Sequence, residues 1–336
     1  MQVRAAKEFP RIWLLVGEKT GDNAQLRVIA EALGLPFEER RIAMQPQWTR
    51  GKPRVRASLE HIDAQRSDRL EPPWPDLLLT AGRRLSMVAL WVREQSQRRT
   101  RLVLVGKPRR FARRFDLILA TAQYRMARRS NVLPLGLPLV RVDPGAVAAA
   151  GDAWRARLAH LPRPLTALLV GGPTKPVRFD AAVARELATR VGALVAVSAG
   201  SLYVTTSRRT PPEVVDALAA GLPANSLFYR WQADAADNPY LALLALADRF
   251  IVTSDSVTMM VEVARLGRPL AIFALPQTFG QSFRALGRGR DLDAVPRLLI
   301  EQGSAVRLGA AFETPAHPPR DELPLVVERI RDLCPL

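Results

Sequence analysis

The sequence predicts an α/β protein built from two doubly wound domains, and three observations support this. The chain has 336 residues and is 48% apolar, which is enough for two domains that each bury a core. Short apolar runs end in polar or Gly-rich loops, and segments with helical spacing follow them. The alternation recurs in both halves, as in parallel sheets with helices on both faces. Ligands of such sheets bind at the carboxyl edge.

The stretch from 250 to 276 shows the pattern most clearly. Phe250–Val252 is a predicted strand that ends in the polar cluster Thr253–Ser256. A predicted helix follows and stops at Gly267, and Leu270–Leu275 is a second predicted strand. Because one helix connects two short apolar strands, we expect a parallel pair with the polar loop at the carboxyl edge.

The start of this helix is suited to binding an anion. Ser254, Asp255 or Ser256 is predicted to cap it. The free N–H groups near Val257–Met259 then face whatever lies in front, and a phosphate fits there. Glu262 lies roughly 9 Å further along the axis, within reach of a hydroxyl one sugar away. On these residues alone, an ordinary capped helix with Glu262 in water is the stronger interpretation.

Basic charge is concentrated in the first half. Residues 1–150 carry 28 Lys and Arg against 14 Asp and Glu, whereas residues 151–336 carry 21 against 18. This favours a polyanion or an anionic membrane surface as partner, with solvated faces of an arginine-rich protein as the alternative. Nucleic acid has least support, because no binding motif is present and we find no interleaved aromatic residues. The densest clusters are Arg98–Arg101, Lys107–Arg114 and Arg125–Arg129.

Few residues suggest metal binding or nucleophilic catalysis. Cys334 is the single cysteine, so an internal disulfide is excluded. The three histidines, His61, His160 and His317, lie in polar or Pro-rich surroundings. The first ten residues lack the apolar core of a signal peptide, and no apolar run approaches the length of a membrane span. We therefore expect a cytoplasmic protein without a metal, either soluble or peripheral at the inner membrane.

The first strand leads into a Gly-rich loop. Arg11–Val16 is the predicted strand, and Gly-Glu-Lys-Thr-Gly-Asp-Asn-Ala-Gln follows from 17 to 25. The loop is not a P-loop, because the required Gly-Lys-Ser/Thr is missing. Glu18 and Asp22 place carboxylates at the carboxyl edge, where they are candidate bases. A tight turn with Asp22 or Asn23 capping the next helix is an equal alternative.

Further units of the same type fill the chain. The stretch 138–151 loses periodicity and predicts a boundary, which gives domains at 1–145 and 146–318 and a final helix at 319–336 that packs back on the first domain. Predicted strands are Pro75–Thr80, Arg101–Val105, Asp116–Ala120, Leu165–Val170, Leu194–Ser198 and Tyr203–Thr205. Predicted helices are Asp180–Val191, a helix ending at Ala220 after the capping box Thr210–Glu213, Tyr240–Ala247 and Asp321–Leu333.

The second half resembles the donor domain of GT-B glycosyltransferases. Gly171-Gly172 after a strand is similar to their Gly-rich loop, and the run 255–262 followed by Gly267 is similar to the signature of the peptidoglycan N-acetylglucosaminyltransferase. The loop 17–22 resembles the opening of lipid-A-disaccharide synthase. These resemblances imply a GT-B-like fold, with two Rossmann-like domains facing a central cleft.

The whole chain resembles the elongated-mitochondria (mitochondrial fission) family between about residues 11 and 276. One departure is Thr121-Ala122-Gln123-Tyr124, where plant members have a Pro-x-His-Asp segment, so no role of that histidine transfers. The matching motifs are the segments 17–25, 205–211, 237–240 and 253–259.

The resemblance implies a glycosyltransferase without an obligatory metal or cofactor, using a UDP-type nucleotide sugar. By resemblance Glu262 holds the donor ribose and Ser256–Thr258 hold the diphosphate. Since no suitable histidine is present, Asp22 or Glu18 is the candidate base for the acceptor hydroxyl. The implied nucleotide-binding residues are Gly171, Gly172, Thr206, Ser207, Arg208, Arg209, Ser254, Asp255, Ser256, Val257, Thr258, Met259 and Glu262. The implied acceptor-side loop residues are Gly17, Lys19, Thr20, Gly21, Asn23, Arg83 and Lys107.

The function remains open between three hypotheses. The first is transfer of a sugar to an anionic or lipid-linked acceptor at the cytoplasmic membrane face. The second is a membrane-docking scaffold on the same fold without transfer activity. The third is a nucleoside-diphosphate-sugar epimerase, which differs in turning over the donor alone.

Overall fold

The computed structural model describes residues 10–49, 55–108, 110–174, 177–233, 235–278 and 291–334. Arg109, which belongs to the basic cluster Lys107–Arg114, lies outside the described residues. The chain divides into unit 1, Met1–Val140 with Asp321–Leu336, and unit 2, Arg141–Arg320.

Each unit contains one six-stranded sheet in which all neighbouring strands are parallel. The strands are β1 Ile12–Val16, β2 Phe37–Arg41, β3 Leu77–Ala81, β4 Arg101–Val105, β5 Leu117–Thr121, β6 Val132–Leu135, β7 Leu165–Leu169, β8 Ser201–Thr205, β9 Leu227–Tyr229, β10 Arg249–Thr253, β11 Leu270–Phe273 and β12 Val306–Arg307. The helices are α1 Thr20–Leu33, α2 Pro46–Thr49, α3 Leu85–Gln95, α4 Pro144–Leu158, α5 Ala181–Ser198, α6 Pro212–Gly221, α7 Tyr240–Leu246, α8 Val257–Arg265, α9 Ala294–Glu301 and α10 Leu323–Arg331.

Unit 1 has the strand order β2-β1-β3-β4-β5-β6, with apolar cores on both faces of the sheet. On one face α1 and α10 pack together, and Ile330 of α10 is fully buried in the same core as Leu26. Glu322, just before α10, accepts a hydrogen bond from Gly136 N–H at 2.8 Å, which ties the start of this helix to the chain after β6. The last helix is therefore part of the core of unit 1.

Unit 2 has the strand order β12-β11-β10-β7-β8-β9. Its central strands β7 and β10 are buried apart from Arg249, as expected when helices cover both faces of a parallel sheet. In both sheets the connections place the loops after β1, β7, β8 and β10 at carboxyl edges, where ligands of this fold class bind. The predicted α/β class and the strand-helix-strand unit of β10, α8 and β11 are confirmed.

Two local predictions are wrong. Leu194–Ser198 is not a strand, because the apolar run continues the helix α5 that begins at Ala181. The capping box at Thr210 does not form, because α6 starts after Pro211 without a side-chain cap.

The C-terminal helix makes a testable contribution to unit 1. Replacing Ile330 with Ala should lower the free energy of unfolding by about 2–5 kcal/mol, because it leaves a cavity beside α1. The matched control is Leu325→Ala on the same helix, where the side chain is 42% exposed and the change should stay within about 0.5 kcal/mol. Urea unfolding of both variants measures the difference, and equal midpoints would contradict a core role for α10.

Candidate functional site

The amino end of α8 lies at the carboxyl edge of the sheet in unit 2. Ser256 is the residue before the helix, and its side chain makes no capping hydrogen bond. The Ser254 hydroxyl instead accepts Leu275 N–H at 3.0 Å, and Asp255 accepts Gly172 N–H. The predicted side-chain cap is therefore wrong. Since the first N–H groups of a helix lack acceptors within it, those of Val257–Met259 face the front of the helix.

Asp255 is a buried carboxylate that joins neighbouring loops. Its Oδ2 accepts Gly172 N–H at 2.7 Å and lies 3.0 Å from an Arg209 guanidinium nitrogen, and its Oδ1 accepts the Thr253 hydroxyl at 2.8 Å. Burial raises the pKa of Asp255, while Arg209, the Gly172 amide and Thr253 act against that rise. Because the side chain is fully buried, its place is inside the protein, and direct contact of Asp255 with a ligand stays a prediction.

Gly171 and Gly172 allow this close approach. A Cβ at Gly171 would lie 2.2 Å from Asp255 Oδ2, and one at Gly172 would lie 2.0 Å from the carbonyl oxygen of Arg209. Their amides are donated to Thr253 and Asp255 at 2.9 and 2.7 Å. The glycines therefore admit the neighbouring segments, and ligand binding by their backbone stays a prediction.

The two arginines after β8 differ sharply. Arg209 donates to the carbonyl of Gly172 at 3.2 Å and to the Thr174 hydroxyl at 2.6 Å, in addition to its pairing with Asp255. Arg208 is exposed, and within the described residues its guanidinium has no hydrogen-bond or salt-bridge partner. Arg208 is thus the cation of this loop that remains available to an external anion.

The rest of the loop after β8 is held by hydroxyl groups. Thr210 accepts Ser207 N–H at 2.9 Å and donates to the carbonyl of Gly171 at 2.5 Å, which explains why it does not cap α6. The buried Thr206 hydroxyl accepts Trp231 N–H at 2.8 Å, which joins the ends of β8 and β9. Thr206 and Ser207 therefore shape the edge of the site, and their contact with a ligand stays a prediction.

Glu262 has a partner that the sequence did not reveal. The Tyr240 hydroxyl, at the start of α7, donates a hydrogen bond to Glu262 Oε2. Burial raises the pKa of Glu262, and the hydrogen bond from Tyr240 acts against this. Burial also raises the pKa of Tyr240 well above its usual value, and the negative charge of Glu262 raises it further. The pair is a half-buried polar group one turn and a half into α8.

The loop after β1 in unit 1 is fixed by Asn23. The Asn23 side chain accepts Gly17 N–H at 3.0 Å and donates to the Gly17 carbonyl at 2.6 Å. α1 begins at Thr20 and has no side-chain cap, so the alternative of Asp22 or Asn23 as cap is wrong. Asp22 is half-buried, with Lys19 Nζ at 3.8 Å from its Oδ2.

The two candidate carboxylates in this loop have different surroundings. Asp22 Oδ2 approaches Gly82 of the neighbouring loop, 3.5 Å from where a Cβ would stand, at the positive φ of +81° that favours glycine. Glu18 is exposed and acts electrostatically on Arg84. Gly21 and Thr20 form the first turn of α1, Arg83 is half-buried, and Lys107 donates to the carbonyl of Arg125 at 2.6 Å.

One histidine differs from the sequence interpretation. His61 is buried rather than lying in polar surroundings, with Nε2 at 3.3 Å from the carbonyl of Arg84. Burial lowers its pKa. Among the described residues there is no group of three or more His, Cys, Asp or Glu side chains placed to hold a metal ion. No helix in that part of the chain is long and apolar enough to span a membrane.

Comparison of the chain with models of protein families shows which family it belongs to. The mitochondrial fission ELM1 family model matches residues 20–332. The chain belongs to the mitochondrial fission ELM1 family. A mitochondrial fission protein ELM1 from Arabidopsis thaliana is 28% identical over 224 residues, which cover 60% of this chain and 52% of the plant protein. The matched region thus spans about half of that relative's length.

A bacterial relative and solved structures extend the comparison. The uncharacterized protein RP120 of Rickettsia prowazekii is 24% identical over 300 residues, covering 79% of this chain and 83% of that protein. The S. aureus MnaA–UDP co-structure has a TM-score of 0.54 at 11% identity and covers 98% of both chains. The Neisseria meningitidis UDP-GlcNAc 2-epimerase bound to UDP-GlcNAc has a TM-score of 0.51 at 11% identity, with 96% and 100% covered. This member of the ELM1 family therefore has the GT-B-like fold that its sequence predicts.

The close approach at Gly172 predicts a sensitive position. Gly172→Ala should lower the free energy of unfolding by about 3 kcal/mol, because the added methyl group meets the backbone of Arg209. The matched control is Gly192→Ala within α5, where a Cβ would lie 3.6 Å from Pro223 and should raise stability by about 0.5–1 kcal/mol. Denaturant unfolding of both variants tests this, and a neutral Gly172→Ala would show that the two segments can separate.

The Glu262 carboxyl predicts a pH-dependent effect on stability. Its folded pKa is raised above the unfolded value, so its stabilising contribution is full below the unfolded pKa and is lost as pH rises through the folded pKa. Glu262→Gln does not titrate, so its melting temperature relative to the wild type should increase as the pH rises above the unfolded pKa of a glutamate, about 4.3. Glu186→Gln on the exposed side of α5 corrects for the loss of one carboxylate. A constant offset for Glu262→Gln would contradict the assigned direction.

Proposed function

We propose that unit 2 binds a nucleoside-diphosphate sugar of UDP type and that the protein transfers the sugar to an anionic or lipid-linked acceptor at the cytoplasmic membrane face. The observation that carries the proposal is the amino end of α8, where Ser256 provides no side-chain cap and the first N–H groups have no acceptor within the helix. A diphosphate there gains both hydrogen bonds and the favourable end of the helix dipole.

Charge and exposure in the same loop cluster support a phosphate. Arg208 is exposed and lacks a partner within the described residues, so it is free to bind a phosphate oxygen. Thr258 and Met259 are only partly buried, so the first turn of α8 is open to a ligand. The relatives in fold include structures with UDP and with UDP-GlcNAc, which supports a uridine nucleotide here.

Glu262 is proposed to bind the ribose of the donor. A carboxylate has about four acceptor positions, and Tyr240 uses one of them. The remaining positions suit the two vicinal hydroxyls of a ribose. Tyr240 fixes the direction of the carboxylate, and its hydrogen bond favours the ionised form that accepts from these hydroxyls.

The proposed transfer forms one bond and breaks one. The acceptor hydroxyl oxygen bonds to the anomeric carbon of the sugar, while the bond from that carbon to the diphosphate oxygen breaks. The acceptor proton passes to Asp22, or alternatively to Glu18, of unit 1. The negative charge that develops on the leaving diphosphate is stabilised by the amides at the start of α8 and by Arg208. Arg209 contributes indirectly by holding Asp255.

The acceptor is proposed to bind at the carboxyl edge of unit 1. Asn23 holds the loop after β1 in shape through its two bonds to Gly17, and Lys19 and Arg83 supply positive charge for an anionic acceptor. Lys107 is engaged with the carbonyl of Arg125 and belongs to the frame of this edge. Gly21 and Thr20 complete the turn into α1.

An epimerase is a second candidate, favoured by one observation. The solved structures with TM-scores of 0.50 or above include UDP-GlcNAc 2-epimerases from three organisms, which cover 96% or more of this chain. An epimerase converts the nucleotide sugar without an acceptor. Product formation from UDP-GlcNAc alone would therefore favour epimerisation, whereas release of UDP only with a lipid extract present would favour transfer.

Nucleotide binding is the first test of the proposal. UDP should raise the melting temperature of the wild type, since a ligand at 100 times its dissociation constant adds about 2.7 kcal/mol of stability. Glu262→Ala and Arg208→Gln should each weaken UDP binding about tenfold in calorimetry, because each removes one charged or hydrogen-bonding contact. Glu186→Ala, exposed on α5, is the matched control and should bind as the wild type does.

The screen also includes other nucleoside diphosphates. Stabilisation by ADP or GDP in place of UDP would keep the site and change the assigned base. Unchanged UDP affinity in Glu262→Ala would remove the proposed ribose contact. If no nucleotide binds, the donor site is wrong and the non-catalytic membrane-docking scaffold becomes the better hypothesis.

A further inference from the structure

Two irregular connections of unit 1 run side by side. Residues 106–116 connect β4 to β5, and residues 122–131 connect β5 to β6. The part of these connections that the structure describes contains no α-helix. Lys107 Nζ donates to the carbonyl of Arg125 near one end. The Asn131 side chain donates to the carbonyls of Ala112 and Phe115 at 2.9 and 2.8 Å near the other. The exposed side chains of the two connections therefore belong to one surface.

This surface carries positive charge that the described carboxylates do not balance. Glu94 is shared by Arg98 and Arg114, and Asp116 is shared by Arg93 and Arg101. Four further arginines are exposed and have no carboxylate partner among the described residues. They are Arg110, Arg113, Arg128 and Arg129.

An exposed aromatic ring lies among these arginines. Phe111 is 41% exposed and has a positive φ of 59°, a backbone conformation that is costly for a bulky residue. The guanidinium groups of Arg110 and Arg114 lie 5.0 and 5.5 Å from the centre of its ring. An aromatic residue is thus interleaved with the basic cluster, contrary to the sequence interpretation. We call Phe111 with Arg110, Arg113, Arg128 and Arg129 the arginine–phenylalanine patch.

The patch lies at the opposite edge from the proposed acceptor loop. Residues 112–116 lead directly into β5, and Asp116 N–H donates to the carbonyl of Leu102 at the start of β4. Val132 N–H, at the start of β6, donates to the carbonyl of Arg129. Since parallel strands start at the same edge, Phe111 and Arg129 are near the amino edge, whereas Gly17 is at the carboxyl edge.

We propose that the arginine–phenylalanine patch docks the protein on an anionic lipid bilayer, with Phe111 entering the interface and the four arginines binding lipid phosphates. The proposal deepens the membrane location of the proposed function and rests on it. Binding at a membrane interface increases with the apolar area that is buried and with electrostatic attraction to anionic lipids, and the patch supplies both an apolar ring and positive charge. Each arginine near such a surface contributes a favourable electrostatic interaction that salt screens.

A lipid surface fits this arrangement better than a nucleic acid. Single-stranded nucleic acid is bound by series of aromatic rings along a basic groove, on which successive bases stack. Here one ring is exposed among the arginines, and two guanidinium groups already lie against it. Surfaces that combine Phe, Trp or Leu with Lys and Arg are typical of binding in the membrane interface. The patch therefore favours lipid.

The test is sedimentation of the full chain with vesicles. Phosphatidylcholine vesicles containing about a third phosphatidylglycerol are compared with pure phosphatidylcholine, at low and high salt. Phe111→Asn removes the ring with a residue that tolerates positive φ, and Phe111→Trp restores an interfacial ring. The charge variant is Arg110→Gln with Arg113→Gln, Arg128→Gln and Arg129→Gln. The control of equal charge change in unit 2 is Arg141→Gln with Arg185→Gln, Arg307→Gln and Arg320→Gln, all exposed.

We expect the wild type to bind only the anionic vesicles and to be released by salt. The charge variant should bind at least about 30-fold more weakly at low salt, given the contribution of each arginine. Phe111→Asn should bind about fivefold to tenfold more weakly, because the apolar anchor is lost. Phe111→Trp should restore binding, and the unit 2 control should lose much less than the charge variant.

Three results would overturn the proposal: no binding of the wild type to anionic vesicles, equal loss in the charge variant and the unit 2 control, or unchanged binding of Phe111→Asn. Tight binding to a single-stranded oligonucleotide without vesicle binding would replace lipid by nucleic acid. UDP-dependent thermal shifts of the same variants separate this result from the proposed donor site. Normal shifts with lost vesicle binding would support both, and absent shifts with intact vesicle binding would affect only the donor site.

Discussion

The buried carboxylate of Asp255 holds together the segments that form the candidate site. It accepts the amide of Gly172 after β7, pairs with Arg209 after β8, and itself follows β10. Burying a charge is costly, and the raised pKa of Asp255 shows that burial outweighs its compensating contacts. The three loops must therefore stay together to keep the carboxylate paired, and the start of α8 is held in one position.

The sequence predicts strands and helices correctly where an apolar run is bounded on both sides by polar or helix-breaking residues. Phe250–Val252 and Leu270–Leu275 lie on parallel strands because each short apolar run is bounded by polar or breaking residues. Leu194–Ser198 follows Gly192, a residue that often interrupts helices, but α5 continues through this glycine, so the apolar run is the end of a helix and not a strand. Thr210 carries a correct capping pattern, but tertiary acceptors at Gly171 compete for its hydroxyl.

In unit 2 the sequence selected residues that lie close together in the structure, but it did not predict the contacts between them. Sequence reasoning selected Gly171 and Asp255 for contact with a ligand. In the structure the two residues approach each other so closely that position 171 must be a glycine. Tyr240 was known only as part of a motif, because its contact with Glu262 spans 22 positions and connects two helices. Such long-range pairs form only when the tertiary fold brings the start of α7 to α8, and they leave no spacing signal in a single sequence.

Two adjacent arginines show that a residue type alone does not determine which contacts a side chain makes. Arg208 and Arg209 have equal charge and the same loop, yet Arg209 is committed to Asp255, Thr174 and Gly172. A guanidinium that already compensates a buried carboxylate cannot move to an external phosphate without leaving that charge unpaired. Arg208 carries no such obligation within the described residues. The internal pair thus holds the loop in shape and leaves the side chain of the neighbouring Arg208 exposed.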